Sequence, residues 1–256
     1  MCIRDSIDDS LNYAKDFFKT NDIHAEIFED ITRPTTRKQR FRAHGKTLLR
    51  VNHLRQHFID AKLSQNILNF IEEKLPTIDL ILFSDFNYGC LPQALVDNIV
   101  EKAKHYDIFL AADSQASSQL SDISRFRGMD LITPTEREAR LAVQDTESGI
   151  AHLAEILRRK ADARNAFITL GAEGVLISGL RNGVFHTDRL PALNTAAKDP
   201  AGAGDSMFTT AALALCAGVN IWESGYLGAI AAACQVSRIG NTPLTAAELI
   251  FEIDAI

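Results

Sequence analysis

The sequence has no long apolar run and no excess of basic residues, and each absence excludes a class of protein. Its longest apolar runs are far shorter than the roughly 20 residues that a membrane-spanning helix needs. Its net charge is −6, from 27 basic and 33 acidic residues, which gives no reason to expect a nucleic-acid-binding protein. The composition therefore predicts neither a membrane nor a nucleic-acid partner, and a homodimer is left open as the assembly.

Cysteine and histidine are too sparse to predict a disulfide framework or a zinc site. None of the four cysteines forms a C-x-x-C pair, and Cys216 and Cys234 lie within apolar helical segments. We expect free thiols of a reducing compartment, and hence a cytoplasmic protein. The seven histidines are scattered along the chain and predict no zinc site.

Two common phosphate-binding motifs are also absent. The chain has no G-x-x-x-x-G-K-[ST] segment, so it is not a P-loop protein. The dinucleotide fingerprint G-x-G-x-x-G fails as well, because Met207 stands where a third glycine would follow Gly202 and Gly204. A nucleotide site in this chain must be built from another arrangement.

What the chain does contain is 256 residues with 46% hydrophobic content, enough for a large α/β core. Strands alternate with helices, which predicts an α/β fold with a mainly parallel central sheet and helices on both faces. Ligands in such folds collect at the carboxyl ends of the strands. The predicted strands are 24–29, 78–84, 107–113, 130–133, 165–170, 174–178 and 183–187, with a β-hairpin over 37–51 that turns at Gly45. The predicted helices are 8–19, 64–75, one beginning near Pro92, 135–143, 149–162, 204–217 and 222–238, the last two closing the chain.

The segment Gly202-Ala203-Gly204-Asp205 leads directly into an apolar helix. The first turn of a helix leaves N–H groups unpaired at the positive end of its dipole, an arrangement that suits a phosphate. A carboxylate there can accept the proton of a hydroxyl that attacks that phosphate. Asp205 could equally serve only to stabilise the helix N-terminus, and the local sequence leaves both interpretations open.

A second candidate is the segment from Thr135 to Glu138, directly after a predicted strand. Glu138 could face the cleft and hold a magnesium ion through water. The spacing Thr-x-x-Glu is also a capping box, which needs no ligand to explain it. The local sequence favours the cap, and the two roles can coexist.

Two further segments have equally open interpretations. The segment ITLGAEGVLI, residues 168–177, could cradle a nucleotide or form a hairpin turn between two strands. In the basic hairpin, alternation places Lys38, Arg40 and Arg42 on one face. That face is either a solvated strand surface or, as part of a lid, a contact for an anionic substrate.

Together these segments resemble the ribokinase-like sugar kinases, the PfkB carbohydrate kinase family. The segment DPAGAGDSMF is similar to that family's D-T-x-G-A-G-D-x-F signature, with Pro200 in place of the threonine. The order of TLGAEG, the signature, two small-residue helices and GNTPLT also matches. The matching signature positions are Asp199, Gly202, Ala203, Gly204, Asp205 and Phe208.

Within the family the chain is most similar to the heptose-phosphate kinase branch, through TRPTTRKQRFRAHGKTLLRV, LFSDFNYG and SRFRGMDLITPTEREA. Tyr88 stands where that branch has a lysine, and Asp113-Ser114-Gln115 stands where it has Asp-Pro-Lys. Thr135 replaces the asparagine of the family's Asn-x-x-Glu. The two missing lysines weaken the expectation of a phosphorylated heptose and broaden it to a related sugar or sugar phosphate.

The resemblance implies ATP and Mg²⁺ as cofactors and phosphoryl transfer from ATP-Mg to a sugar hydroxyl, with a heptose-7-phosphate 1-kinase-like activity as one candidate. Asp205 would be the base, and the backbone from Gly202 to Asp205, including Ala203 and Gly204, would form the anion hole. Glu138 would hold magnesium through water. The nucleotide side would be lined by Thr169, Gly171, Gly174, Gly202, Gly204 and Asn241, and the substrate side by Lys38, Arg40 and Asp85.

The resemblance also predicts a shortened N-terminus. Family members begin with a strand carrying a substrate-binding aspartate, followed by a Gly-Gly segment, and this chain shows neither. We therefore expect a single ribokinase-like domain over 8–256 that lacks those elements, its hairpin a remnant of a small β lid, and a non-native or disordered start over 1–7. The alternative is a degenerate, non-catalytic nucleotide-binding module.

Overall fold

The chain folds into two compact units. The computed structural model describes residues 2–4, 9–43, 46–115, 122–181, 183–194, 196–240 and 242–254. The first unit comprises residues 1–76 and 87–102, and the second comprises 77–86 and 103–256. The backbone therefore passes between the units three times.

The first unit combines two small two-stranded sheets with three helices in its described residues. Strands β1 (Cys2–Arg4) and β2 (Glu26–Phe28) pair in parallel around helix α1 (Asp9–Thr20). Strands β3 (Arg37–Ala43) and β4 (Lys46–His53) form an antiparallel hairpin, and helices α2 (Ala61–Lys74) and α3 (Gln93–Ala103) follow. Strand β1 was not predicted, because its three residues lie in a segment without apolar alternation.

The predicted hairpin is confirmed, although its turn at Gly45 lies outside the described residues. Its register shifts once, because Phe41 pairs with Leu49 while Arg42 pairs with Thr47. The strand β4 therefore carries one extra residue, which increases the local twist of the hairpin.

A buried arginine, Arg33, joins two loops of the first unit. The Arg33 side chain is buried, and its Nε lies 2.5 Å from Asp30 Oδ2. Its Nη1 also donates to the backbone oxygen of Tyr88 at 3.0 Å. Gly89 follows with φ of 78°, and a Cβ there would lie 2.2 Å from the carbonyl oxygen of His57. Only glycine fits that close approach of two loops.

The second unit contains a six-stranded sheet. Its strands are β5 (Leu80–Asp85), β6 (Phe109–Ser114), β7 (Leu131–Ile132), β8 (Asn165–Thr169), β9 (Val175–Arg181) and β10 (Val184–Leu190). The strands lie side by side in sequence order. Strands β5 to β8 pair in parallel, β9 pairs antiparallel with β8, and β10 pairs antiparallel with β9. The predicted mainly parallel sheet is confirmed.

Helices cover both faces of this sheet. The helices are α4 (Glu136–Val143), α5 (Ile150–Lys160), α6 (Ala203–Cys216), α7 (Ile221–Val236) and α8 (Ala246–Asp254). Phe167 of β8 packs in one core with Met207 of α6 and Ala229 of α7. Its neighbours along the strand point to the opposite face, where α5 contacts β8.

Small residues explain how closely α7 approaches the sheet. A Cβ at Gly225 would lie 2.3 Å from Ile177 Cδ1, and one at Gly228 would lie 3.1 Å from the Met207 carbonyl oxygen. The glycines of α7 at these two positions are therefore required by its close packing against β9 and against α6.

Several expectations from composition can be compared with the structure. In the part of the chain that the structure describes, no helix is both long and apolar enough to cross a membrane. Cys90, Cys216 and Cys234 are free thiols, as predicted. His53 and His57 have His-x-x-x-His spacing, but His53 ends strand β4 and His57 Nε2 lies 2.7 Å from Thr32 Oγ1, so they do not share a helix face.

Candidate active site

Three carboxylates approach one another at the carboxyl edge of the second unit's sheet. Asp113 lies near the end of β6, on the side of the sheet where Ala111 packs against α6. Its side chain is only 7% exposed, and Thr133 Oγ1 donates to its Oδ1 at 3.4 Å. Asp205 and Glu138 both interact electrostatically with it.

This environment strongly disfavours the charged form of Asp113. Burial raises the pKa of its carboxyl, and the negative charges of Glu138 and Asp205 raise it further, to about 7. A carboxyl that titrates near neutral pH beside two other carboxylates is typical of a functional site. The sequence analysis placed Asp113 at the end of a strand but assigned it no role.

The turn that precedes α6 has the geometry of an anion site. Gly202 adopts φ of 81°, in the left-handed region that favours glycine, and α6 begins at the next residue. Asp205 is the third residue of the helix, and its Oδ1 accepts a hydrogen bond from Gln115 Nε2 at 3.2 Å. Open space lies over Gly204, where a Cβ would meet no atom within 4 Å.

Two buried polar side chains hold this turn in place. The Oδ1 of Asp199 accepts the N–H of Ala201, and its Oδ2 accepts the N–H of Gly240, each at 3.2 Å. The Nε2 of Gln235 donates to the carbonyl oxygens of the same two residues, at 3.3 and 3.2 Å. Two of these four bonds, Asp199 to Gly240 and Gln235 to Ala201, join the turn before α6 to the end of α7. The sequence analysis matched Asp199 to the signature but missed Gln235, which lies near the end of the mostly apolar α7.

Glu138 forms the predicted capping box. Its Oε2 accepts both the N–H and the hydroxyl of Thr135 at 2.8 Å, while Thr135 Oγ1 accepts the N–H of Glu138 at 3.2 Å. The cap is confirmed, and it holds a buried carboxylate close to Asp113. No group of three or more His, Cys, Asp or Glu side chains in the described residues is arranged to hold a metal ion.

The segment from Thr169 to Gly174 is the predicted hairpin turn. Strands β8 and β9 pair antiparallel across it, and Thr169 bridges to Thr135 beside it. Gly174 has φ of 98°, and a Cβ there would lie 2.1 Å from the Leu190 carbonyl oxygen. Packing alone therefore explains Gly174. Gly171 is different, because a Cβ there would meet no atom within 4 Å, although its φ of 61° also favours glycine.

The structure places Asp85 on the opposite side of the sheet from the three carboxylates of the candidate site. Asp85 shares the face of Phe83, whose ring packs 5.6 Å from that of Phe126. Its Oδ2 lies 2.7 Å from Nη2 of Arg125, in an ion pair that the sequence analysis missed. Asp113 instead faces α6, on the other side of the sheet.

The remaining predicted residues lie elsewhere. Lys38 and Arg40 belong to the first unit, where Lys38 Nζ lies 5.1 Å from the centre of the Tyr88 ring. Arg40 is exposed and pairs in register with Arg50 across the hairpin. Asn241 lies outside the described residues.

Curated relatives match most of the chain but only part of their own length. It is 27% identical over 230 residues to the bifunctional protein HldE of Helicobacter hepaticus, covering 88% of this chain and 45% of that protein. It is 29% identical over 228 residues to the HldE of Geobacter metallireducens, with the same coverage. The chain therefore spans about half the length of these relatives.

Solved structures share the fold. Phosphofructokinase-2 from Escherichia coli, in complex with potassium, aligns with a TM-score of 0.79 at 12% identity, covering 99% of this chain and 80% of that one. Ribokinase from Thermotoga maritima aligns with a TM-score of 0.72 at 22% identity and the same coverage. The expected ribokinase-like fold is confirmed.

The family comparison agrees with the motifs and with this fold. The family described as pfkB family carbohydrate kinase matches residues 46–247, which include the turn at Gly202, the helix α6 and the capping box of Glu138. This chain therefore belongs to the pfkB family of carbohydrate kinases.

Proposed function

We propose that this protein transfers the γ-phosphoryl group of ATP to a hydroxyl of a sugar or sugar phosphate, with Asp205 as the base. The observation that carries the proposal is the position of Asp205, in the first turn of α6 and immediately after the left-handed turn at Gly202. The carboxylate can accept the hydroxyl proton while the helix N-terminus attracts the phosphate that the hydroxyl attacks.

The backbone from Gly202 to Asp205 is our proposed anion hole. Phosphoryl transfer depends mainly on positioning and on the stabilisation of charge spread over the phosphoryl oxygens. The N–H groups of Ala203, Gly204 and Asp205 point toward the N-terminal end of α6, as in any helix. The four hydrogen bonds from Asp199 and Gln235 favour a preorganised turn, and the open space over Gly204 leaves room for a phosphate.

The nucleotide would lie along the same edge of the sheet. Thr169 and Gly171 are at the turn after β8, next to Thr135, and Gly171 has open space above it. We keep Gly174 in this group as a residue that shapes the turn, and Asn241 on the resemblance to the family alone. Gly202 and Gly204 would approach the phosphates of the same nucleotide.

The donor set suits a magnesium ion that is held mostly by phosphate and water. Mg²⁺ in kinases keeps several waters and takes one or two protein carboxylates. Glu138 is fixed by its cap and lies near Asp113, which provides two carboxylates but no complete cage. Bound there through water, magnesium would neutralise charge on the phosphates. Glu138 would orient its water ligands.

The proposed substrate is a sugar or sugar phosphate, with a heptose phosphate as one candidate on the resemblance to the heptose-phosphate kinase branch. The basic hairpin of the first unit, with Lys38 and the exposed Arg40, would bind its phosphate. Tyr88 and Gln115 stand where the heptose-phosphate kinases have lysines, so a related sugar phosphate also fits. Asp85 is bonded to Arg125, and we assign it to the support of the strand end rather than to direct substrate contact.

The test is the Asp205→Asn variant, assayed for ADP release with ATP, Mg²⁺ and a panel of heptose and hexose phosphates. We expect kcat to fall roughly 100- to 10,000-fold, because a general base contributes about that much. The affinity for ATP should stay within about threefold, because the backbone N–H groups remain. The exposed Asp97→Asn in α3 is the matched control and should retain full activity.

Undiminished turnover in Asp205→Asn would contradict the base assignment. Binding of ATP by the wild-type chain without phosphorylation of any sugar in the panel would instead favour the non-catalytic nucleotide-binding module.

A further inference from the structure

Gln115 contacts the proposed base, a role that the sequence analysis did not predict. It follows β6 directly, and its backbone N–H donates to the carbonyl oxygen of Asp85 at 2.8 Å. That bond extends the pairing of β5 with β6 by one residue, so the point from which the side chain projects is fixed. Gln115 lies two residues after Asp113, and by strand alternation it shares the side of the sheet that faces α6.

The side chain of Gln115 reaches a residue 90 positions later in the chain. Its Nε2 donates to Oδ1 of Asp205 at 3.2 Å, and both residues are half-buried. Each end of this bond is anchored, one to the sheet and the other to the first turn of α6. A carboxylate that accepts a fixed donor on one oxygen has its rotation restricted, and its second oxygen then has a defined direction.

The chemical type of the donor also matters at this position. Asp205 interacts with the buried Asp113, which also feels the charge of Glu138. A lysine, as in the resembling heptose-phosphate kinases, would add a positive charge to this group of carboxylates. The glutamine supplies an N–H donor and no charge, so it can orient Asp205 without pairing with it as an ion.

We propose that Gln115 is a positioning residue for Asp205: its amide N–H holds Oδ1 and so restricts the orientation of the carboxylate that accepts the substrate proton. This inference rests on the proposed function of Asp205. It adds the residue that directly follows β6 to a site otherwise built from Asp113 of β6, from α4 and from the turn that begins α6.

The kinetic test compares Gln115→Met with Gln115→Lys in the full chain. Methionine has a similar length and no donor, and we expect it to lower kcat roughly 10- to 100-fold, as small misplacements of reacting groups do. The KM for ATP should stay within about twofold. Lysine restores a donor but pairs with Asp205 as an ion, which weakens the carboxylate as a base, so it should recover only part of kcat. The matched control is Gln65→Met on the exposed face of α2, where the glutamine also donates to a side chain, and it should behave as wild type.

A second measurement does not depend on turnover. In protein labelled with ¹³C at the aspartate carboxyl carbons, the Asp205 signal is the one that Asp205→Asn removes. At pH 8 and without ligands, we expect this signal to move in Gln115→Met and to stay in place in Gln65→Met.

The two measurements separate the inference from the function on which it rests. If wild type turns over and Asp205→Asn does not, yet Gln115→Met keeps its kcat and its Asp205 signal, the inference is wrong and the proposed function stands. If no sugar is phosphorylated but the Asp205 signal moves in Gln115→Met, the positioning contact stands and the proposed function fails. A Gln115→Lys variant as impaired as Gln115→Met would overturn the role of the donor.

Discussion

At the scale of single residues, the environment of Asp113 destabilises the charged form of its carboxyl. Its carboxyl is buried at the end of β6, within the field of Glu138 and Asp205, and its pKa rises to about 7. A group with a raised carboxyl pKa binds a proton more tightly in the folded chain than in the unfolded one. Its contribution to stability is therefore complete below about pH 4 and is lost as the pH rises through about 7.

We predict that Asp113→Asn removes this loss. A rise in pKa from 3.8 to about 7 corresponds to roughly 4 kcal/mol between the protonated and ionised limits. The free energy of unfolding in urea, without magnesium or nucleotide, should differ between variant and wild type by only about 1 kcal/mol at pH 4.5, where little of this loss has occurred. At pH 8 the variant should be more stable by a few kcal/mol, on the order of that difference.

The exposed Asp97→Asn serves as the control and should show no such gain at pH 8. Unfolding curves for wild type and Asp113→Asn that stay parallel between pH 4.5 and 8 would contradict the prediction. We also expect the stabilised variant to lose turnover, because a carboxylate retained at this cost is best explained by the site beside it.

At the scale of elements, two helices begin with the same capping box but serve different surroundings. In α4 the box is formed by Thr135 and Glu138, and in α8 by Thr245 and Glu248, with hydrogen bonds of 2.8, 2.8 and 3.2 Å in both. The α4 box lies at the carboxylate group of the site. The described residues of α8 bury no side chain. The two capping boxes can therefore be compared directly, because their residues and hydrogen bonds are the same and only their surroundings differ.

We predict that Thr135→Ala and Thr245→Ala differ in their effect on activity. Loss of an N-cap costs about 1 kcal/mol, and this should appear in the free energy of unfolding of Thr135→Ala. Thr245→Ala should cost less, because α8 can fray without exposing a core. Turnover should fall only in Thr135→Ala, where Glu138 loses the bonds that hold it.

The variant Thr135→Asn provides the rescue, since asparagine is also a good N-cap and is the residue of the resembling family. It should retain both stability and turnover. Equal turnover in Thr135→Ala and wild type would show that Glu138 does not depend on its cap.

These elements also show how far the sequence could predict the structure. The parallel sheet, the hairpin and the cap at Thr135 follow from local patterns of two to eight residues, and each was predicted. Helix α8 was missed, although the spacing of Thr245 and Glu248 contained the signal for its start. The contact of Gln115 with Asp205 could not be predicted, because it depends on the pairing of β5 with β6 and on the packing of α6 above them.

At the scale of the whole molecule, the described carboxylate site lies within the second unit. Asp113 belongs to β6, Glu138 to α4 and Asp205 to α6. All three elements lie in the second unit, which contains the six-stranded sheet. The basic hairpin with Lys38 and Arg40 belongs to the first unit. Under the proposed function, nucleotide binding would depend on residues of the second unit and binding of the substrate phosphate on residues of the first, so the two should respond to different substitutions.

Nucleotide binding should stabilise the whole chain, and Gly204 provides the means to test where it binds. At about 100 times its Kd, a ligand adds about 2.7 kcal/mol to stability, or roughly 5–10 °C in Tm for a chain of this size. We predict that wild type shows this rise with ATP and Mg²⁺.

Gly204→Ala should be as stable as wild type or slightly more so without ligand, because alanine favours helix and its Cβ meets no atom. Its rise in Tm should nevertheless be lost, since the methyl group occupies the space over the proposed anion hole. Gly149→Ala, at the start of α5, also meets no atom and should keep the full rise. A full rise in Gly204→Ala would move the nucleotide away from the first turn of α6.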